Sequence, residues 1–121
     1  MTLNRLRPPA VDVASMFEGH SPVAMRRETT AVSFTFSGRQ VIVGVTDTSA
    51  VRTVTLATAL MNDSPDARIV VVKDEGGAAG TNTLTIATEG SETIDGGATA
   101  TITSNYGAVR LYSNGSNWFT W

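Results

Sequence analysis

The stretch that most constrains the fold is 73–121, KDEGGAAGTNTLTIATEGSETIDGGATATITSNYGAVRLYSNGSNWFTW. In it, short Thr-rich runs of β-forming residues are divided by Gly, Asn, Ser and Asp clusters roughly every eight to twelve residues. Turn chemistry at that spacing predicts an antiparallel all-β unit, since an α/β enzyme core needs helices between its strands.

Length and composition set the frame. At 121 residues the chain holds one domain, because two would each be too small to bury a sufficient core. Only 17% of the residues are charged, so the surface is left to Thr, Ser, Asn and Gly, which suits a subunit that buries much of itself against copies or partners. A formal net charge of -2 provides no positive field for a phosphate backbone, and nucleic acid is not expected as a partner. With no cysteine, disulfides, thiolate catalysis and Cys-based zinc sites fall away together. No run approaches the roughly eighteen apolar residues of a membrane span. MTLNRLRPPAV carries charges and prolines where a signal peptide needs an apolar stretch, so synthesis in the cytoplasm without export is expected.

In chain order, 1–30 reads as an extended arm and 31–121 as the β domain. The arm carries Pro8, Pro9 and Pro22, the lone His20, and large apolar residues without a sustained period. It holds four basic and three acidic residues, against five and eight in the remainder, so the basic character sits in the arm. A disordered tail is the plain alternative to an arm anchored on a partner or a neighbouring subunit. Strands are expected over 31–36, 40–46, 51–56, 68–73, 83–87, 98–103, 107–112 and 117–121, with a short helix near 57–62 and an edge-like piece at 92–95. Gly44 should mark a bulge or a close backbone approach, and 75–82 a long flexible hairpin turn. The pair 98–103 and 107–112 is expected to join through Ser104–Gly107. The last hairpin is expected to turn on Asn114-Gly115 in a type I′ geometry.

Few residues point to chemistry. Gly76-Gly-Ala-Ala-Gly80 lacks the Lys-Ser/Thr of a phosphate loop and is followed by a strand, so a turn explains it better. Asp74, Glu75, Glu89, Glu92 and Asp95 fall on or near turns at spacings that specify no catalytic pair, and they read as solubility features. His20 has no second ligand at metal spacing, and Asn114-Gly-Ser116 is already accounted for as a turn. No catalytic residue, metal or cofactor is expected. The terminal aromatics stay open between two roles. Alternation places Trp118 on one face and Phe119 and Trp121 on the other, with Tyr106 and Tyr112 on the preceding elements. Such rings close a core or a subunit interface more often than they bind sugar.

Three segments, 69–86, 90–96 and 106–118, resemble the small β modules of tailed-bacteriophage tail fibres, tail spikes and head decoration proteins. The shared order is a strand, Lys-Asp, a Gly-rich loop, a strand, Gly-Ser-Glu-Thr-Ile-Asp-Gly, a strand, Tyr-Gly, a strand, Asn-Gly and Trp, over about 40–121. The resemblance implies a small antiparallel β-sandwich or barrel-like domain with an extended N-terminal arm, assembled as a homotrimer. Because only about thirty residues precede the module and no shaft is evident, it implies a capsid decoration, or cement, protein on the outer surface of the virion rather than a fibre. Its partners would be itself and the major capsid protein, and the arm would attach through Leu3, Arg5, Leu6, Arg7, Val11, Phe17, Arg26 and Arg27. The alternative is a small tail fibre, baseplate or glycan-binding tip that uses Tyr106, Tyr112, Trp118 and Trp121 as ligand or trimer contacts. An enzyme acting on surface polysaccharide is the third class, and no residue pattern favours it.

Overall fold

The computed structural model of the chain describes residues 26–62 and 68–121. They form β1 (Arg27–Thr30), β2 (Phe34–Phe36), β3 (Ile42–Val45), β4 (Arg52–Leu56), β5 (Ile69–Asp74), β6 (Leu84–Thr88), β7 (Thr99–Ile102), β8 (Ala108–Ser113) and β9 (Trp118–Thr120), with a 3-10 helix at Thr58–Asn62. The expected strand runs and the short helix are therefore present, apart from a shift at the start. The first expected strand, 31–36, is shortened to β2 because Ala31-Val32-Ser33 form a bend that leaves Val32 exposed, and β1 is a further strand in the stretch read as arm. Thr30 fastens that bend, its hydroxyl donating to the Val32 carbonyl at 2.7 Å.

Two sheets enclose the core, one ordered β1-β3-β5-β8-β9 and the other β2-β4-β6-β7. From β1 to β6 each strand lies in the sheet opposite its predecessor. A strand therefore meets its hydrogen-bonded neighbour two elements later, running in the same direction. The chain winds as a coil whose crossovers are themselves strands, which satisfies the long connection that parallel pairing demands. β7 then folds back on β6, β8 on β5 and β9 on β8, all antiparallel.

The all-β expectation holds, but the sheets are mixed rather than antiparallel and they do not close into a barrel. Four of the seven pairings among the described residues are parallel. The physical reason is that a period of two reports which face a strand buries and says nothing about its partner's direction. Short polar turns that look like hairpins here carry the chain across the sandwich. Ser104–Gly107 is one: β7 and β8 do not pair but lie in different sheets.

Alternation fills the core. Val43 and Val45, Val70 and Val72, Leu111 and Trp118 point inward from the larger sheet, against Phe36, Val54, Leu56, Leu84, Ile86 and Ile102 from the smaller one. Each such aliphatic side chain contributes about 1.5–3 kcal/mol by leaving water. The outward face of the smaller sheet is threonine: Thr53 pairs with Thr85 and Thr85 with Thr101, while Thr35 pairs with Thr55 in the next row. The outward members of β5 and β8 are Ile69, Val71, Lys73 and Ala108, Arg110, Tyr112, set side by side by the register. That face is partly apolar and aromatic.

Candidate functional site

One cluster of loops is organised by a single buried side chain. Asp74 ends β5 on the inward phase of Val70 and Val72 and is fully buried. Its Oδ1 accepts from the Thr48 hydroxyl at 2.9 Å and from Gly77 N at 2.8 Å. Its Oδ2 accepts from Ala79 N at 2.9 Å and from Tyr106 N at 3.0 Å. Thr48 extends the network, accepting from Ala78 N at 2.9 Å through its hydroxyl and from the Asn82 amide at 2.9 Å through its carbonyl. Burial pushes the Asp74 carboxyl up, but the three backbone N–H groups and the hydroxyl outweigh that and hold it below its ordinary value. The residues 75–82 are thus a fixed crossing between sheets, not a flexible hairpin, and Asp74 is not a solubility feature. Gly77, at φ 84°, lies so close under the Tyr106 ring that a Cβ would come within 2.3 Å of it. Tyr106 itself sits at φ 60°, and its carbonyl accepts from Lys73.

On the outer face of the larger sheet, Glu75 lies over Gly44, where a Cβ would stand 2.1 Å from a carboxylate oxygen. The close approach expected at Gly44 is therefore that of the Glu75 side chain. Arg27 completes the arrangement with a two-pronged contact, Nε to Oε2 at 2.8 Å and Nη2 to Oε1 at 2.6 Å. Each partner stabilises the other's charge: the hydrogen bond and the Arg27 charge lower the Glu75 pKa, and those of Glu75 raise that of Arg27.

The far edge carries the rings. Tyr112 lies 5.5 Å from Phe119 and 5.9 Å from Trp121, centroid to centroid. The Arg110 guanidinium stands 5.4 Å over the Trp121 ring and donates to the Trp121 main-chain oxygen through Nε at 3.0 Å and Nη2 at 2.6 Å. Behind these residues Asp95 occupies the left-handed region at φ 51°. Its Oδ1 accepts from Thr120 N at 3.1 Å and its Oδ2 from the Thr120 hydroxyl, and these bonds lower its pKa. The hairpin joining β8 to β9 has positive φ at Gly115 alone, with Asn114 Oδ1 accepting from Ser116 N and Asn117 N at 3.0 and 2.9 Å. Its central residues are Gly115 and Ser116, glycine first as a type II′ loop requires, rather than the type I′ turn expected on Asn114-Gly115. Between β7, β8 and the end of β9 runs a groove of about 580 Å³, lined in part by Asp95, Thr101, Arg110 and Trp121.

The structure divides the aromatic residues singled out from the sequence. Tyr112 and Trp121 are together on the outer face; Tyr106 is exposed on the Asp74 loop cluster; Trp118, 1% exposed, is core and offers no face to a ligand or neighbour. Arg26 is exposed, and its carbonyl accepts from Val41 and Ile42 N–H at 3.0 and 3.1 Å. Arg27 belongs to β1 and is engaged with Glu75. Leu3, Arg5, Leu6, Arg7, Val11, Phe17 and His20 lie outside the described residues. Half-buried Phe119 lies on the face of Trp121 as alternation placed it; Asp95, read from the sequence only as a turn carboxylate, and Arg110, which no sequence pattern marked, join the exposed rings. Asp74 did carry a signal, an acid on the apolar phase of the strongest strand.

Among the described residues no group of three or more His, Cys, Asp or Glu side chains could hold a metal ion, and no helix is long and apolar enough to cross a membrane. The fold and site thus define a two-sheet β body with one polar loop cluster and one aromatic edge. No protein-family model matches the chain, and no curated protein matches it.

Proposed function

We propose that the chain is a bacteriophage virion structural protein, a head decoration protein that binds the outer capsid surface as a homotrimer and stabilises it. The observation that carries this reading is the sheet order β1-β3-β5-β8-β9, which puts β1 and β9 on opposite edges. The segment 1–26 runs into β1, so its attachment point lies about 19 Å, four strand spacings, from the aromatic edge. A body with two separated surfaces can hold the shell by one and its own copies by the other. Ile69 and Tyr112, 43% and 39% exposed on the outer face of the larger sheet, supply apolar contact of the kind a subunit interface needs. Avidity across copies then makes modest binding per arm sufficient.

A chain beginning at Arg26 retains every described strand and tests the attachment. It is expected to fold as a trimer by light scattering and to leave expanded capsids bare, whereas full decoration by the shortened chain would sink the proposal.

A further inference from the structure

We propose that the groove beside Trp121 is a saccharide-binding site for neutral oligosaccharides, with the indole as stacking surface and Asp95 and Arg110 as polar anchors. The site needs only the folded body and does not rest on capsid decoration.

The groove exists because β9 is short. It pairs with Leu111–Ser113 and leaves the Ala108–Val109 side of β8 uncovered, while β7 pairs only with β6 and keeps its other edge free. These two open edges, one from each sheet, form the walls of the groove. Its volume, about 580 Å³, is that of a small-ligand site. Ala100 and Val109, half-buried against the core, give it an apolar floor. Trp121 stands at the rim, 54% exposed.

An apolar floor, an indole and fixed polar groups match a pyranose, whose C–H face stacks on a ring while its hydroxyls take hydrogen bonds from both donors and acceptors. Both anchors are already positioned and have bonding capacity in reserve. Asp95 spends one acceptor interaction per oxygen on Thr120, leaving about half of a carboxylate's lone-pair sites, and Arg110 commits Nε and Nη2 to the Trp121 main-chain oxygen out of a guanidinium's five N–H donors. Thr99 and Thr101 add exposed hydroxyls. The left-handed backbone of Asp95 is held by the Ile94–Gly97 bridge and by Thr120, so the carboxylate is fixed before any ligand arrives. The groove's one guanidinium is already engaged by the Trp121 main-chain oxygen and its one acidic side chain is Asp95, so no free positive charge is offered to phosphates or acidic sugars.

The full chain applied to an array of neutral and acidic oligosaccharides, alongside a random peptide array, tests the assignment. Neutral glycans are expected to be retained. Titration with the best of them should weaken at least tenfold in Trp121→Ala and Arg110→Ala, and be lost in Thr101→Arg, which blocks the groove from an exposed strand position. Tyr106→Ala, on the other loop cluster, should bind as the parent does. Should Trp121→Ala not fold, Thr101→Arg carries the test. Retention of no glycan, of acidic glycans alone or of peptides instead, or unchanged affinity in Thr101→Arg, would overturn the site. A chain that decorates capsids yet binds no sugar refutes this site alone, and the converse refutes decoration alone.

Discussion

The interior and the groove edge of this protein use the same two residue types to opposite ends. Asp74 and Trp118 are buried, and Asp95 and Trp121 are exposed. Asp74 accepts four hydrogen bonds from three segments of chain, which saturates its carboxylate, whereas Asp95 accepts two, both from Thr120. Trp118 is packed among the side chains of both sheets, while Trp121 touches Arg110 and Tyr112 and is otherwise open. A saturated carboxylate and an enclosed ring have nothing left to offer a ligand, so their contribution is stability. Their counterparts at the edge contribute little to the core and keep capacity for a partner. Burial alone therefore decides which of these side chains keep capacity for a partner, and paired substitutions can test that separation.

The largest contrast is expected between the tryptophans. Trp118→Ala removes a ring from the closed core and should cost about 3–5 kcal/mol, read as a shift in the urea midpoint. Trp121→Ala should move that midpoint little while removing the exposed indole from the edge. Equal destabilisation by the two would break the comparison, because it would mean that the edge is part of the core.

Asp74→Asn comes next. An amide keeps the shape but presents one NH2 group to backbone N–H donors, leaving buried donors unpaired at roughly 1–3 kcal/mol. The pH dependence sharpens this. Because the folded Asp74 carboxyl lies below its ordinary value, its contribution is fully present above the unfolded pKa, near 3.8, and is lost as pH falls from there through the folded value. Below about pH 4 the parent should lose stability faster than Asp74→Asn, in which that proton uptake is absent. Parallel curves for the two proteins would show that Asp74 does not control the acid limb.

How much of this was legible in the sequence follows the same division between face and partner. Alternation in Val43-Gly-Val45, Val70-Val-Val72 and Leu84-Thr-Ile86 reports burial directly, so strands and core could be read from residue order. Partner and direction could not, because β1 and β3 meet through a crossover that contains β2, and no local turn encodes that pairing. Ser104–Gly107 misleads for the same reason: its composition fits a hairpin, yet Asp74 and Ile102 anchor it between sheets. At the candidate site, the rings of Tyr112 and Trp121 stood out by type. Asp95 stood out only as a turn carboxylate and Arg110 not at all, since the groove they line forms only when β7 and the end of β9 are brought alongside β8.

The smallest effect is expected at Asp95, and its sign separates backbone from side chain. Asp95→Gly loses the two hydrogen bonds to Thr120 but relieves an L-residue of a left-handed conformation, and these changes oppose each other. Asp95→Ala loses the same bonds and keeps the backbone strain. The glycine variant should therefore melt within about 4 °C of the parent, and the alanine variant below it. An alanine variant as stable as the glycine one would mean that the chain at Ile94–Gly97 relaxes out of the left-handed region when the carboxylate is gone. In that case Thr120, by gripping the side chain, would be what holds the backbone there, and the rigidity of the groove would belong to the hydrogen bonds rather than to the turn.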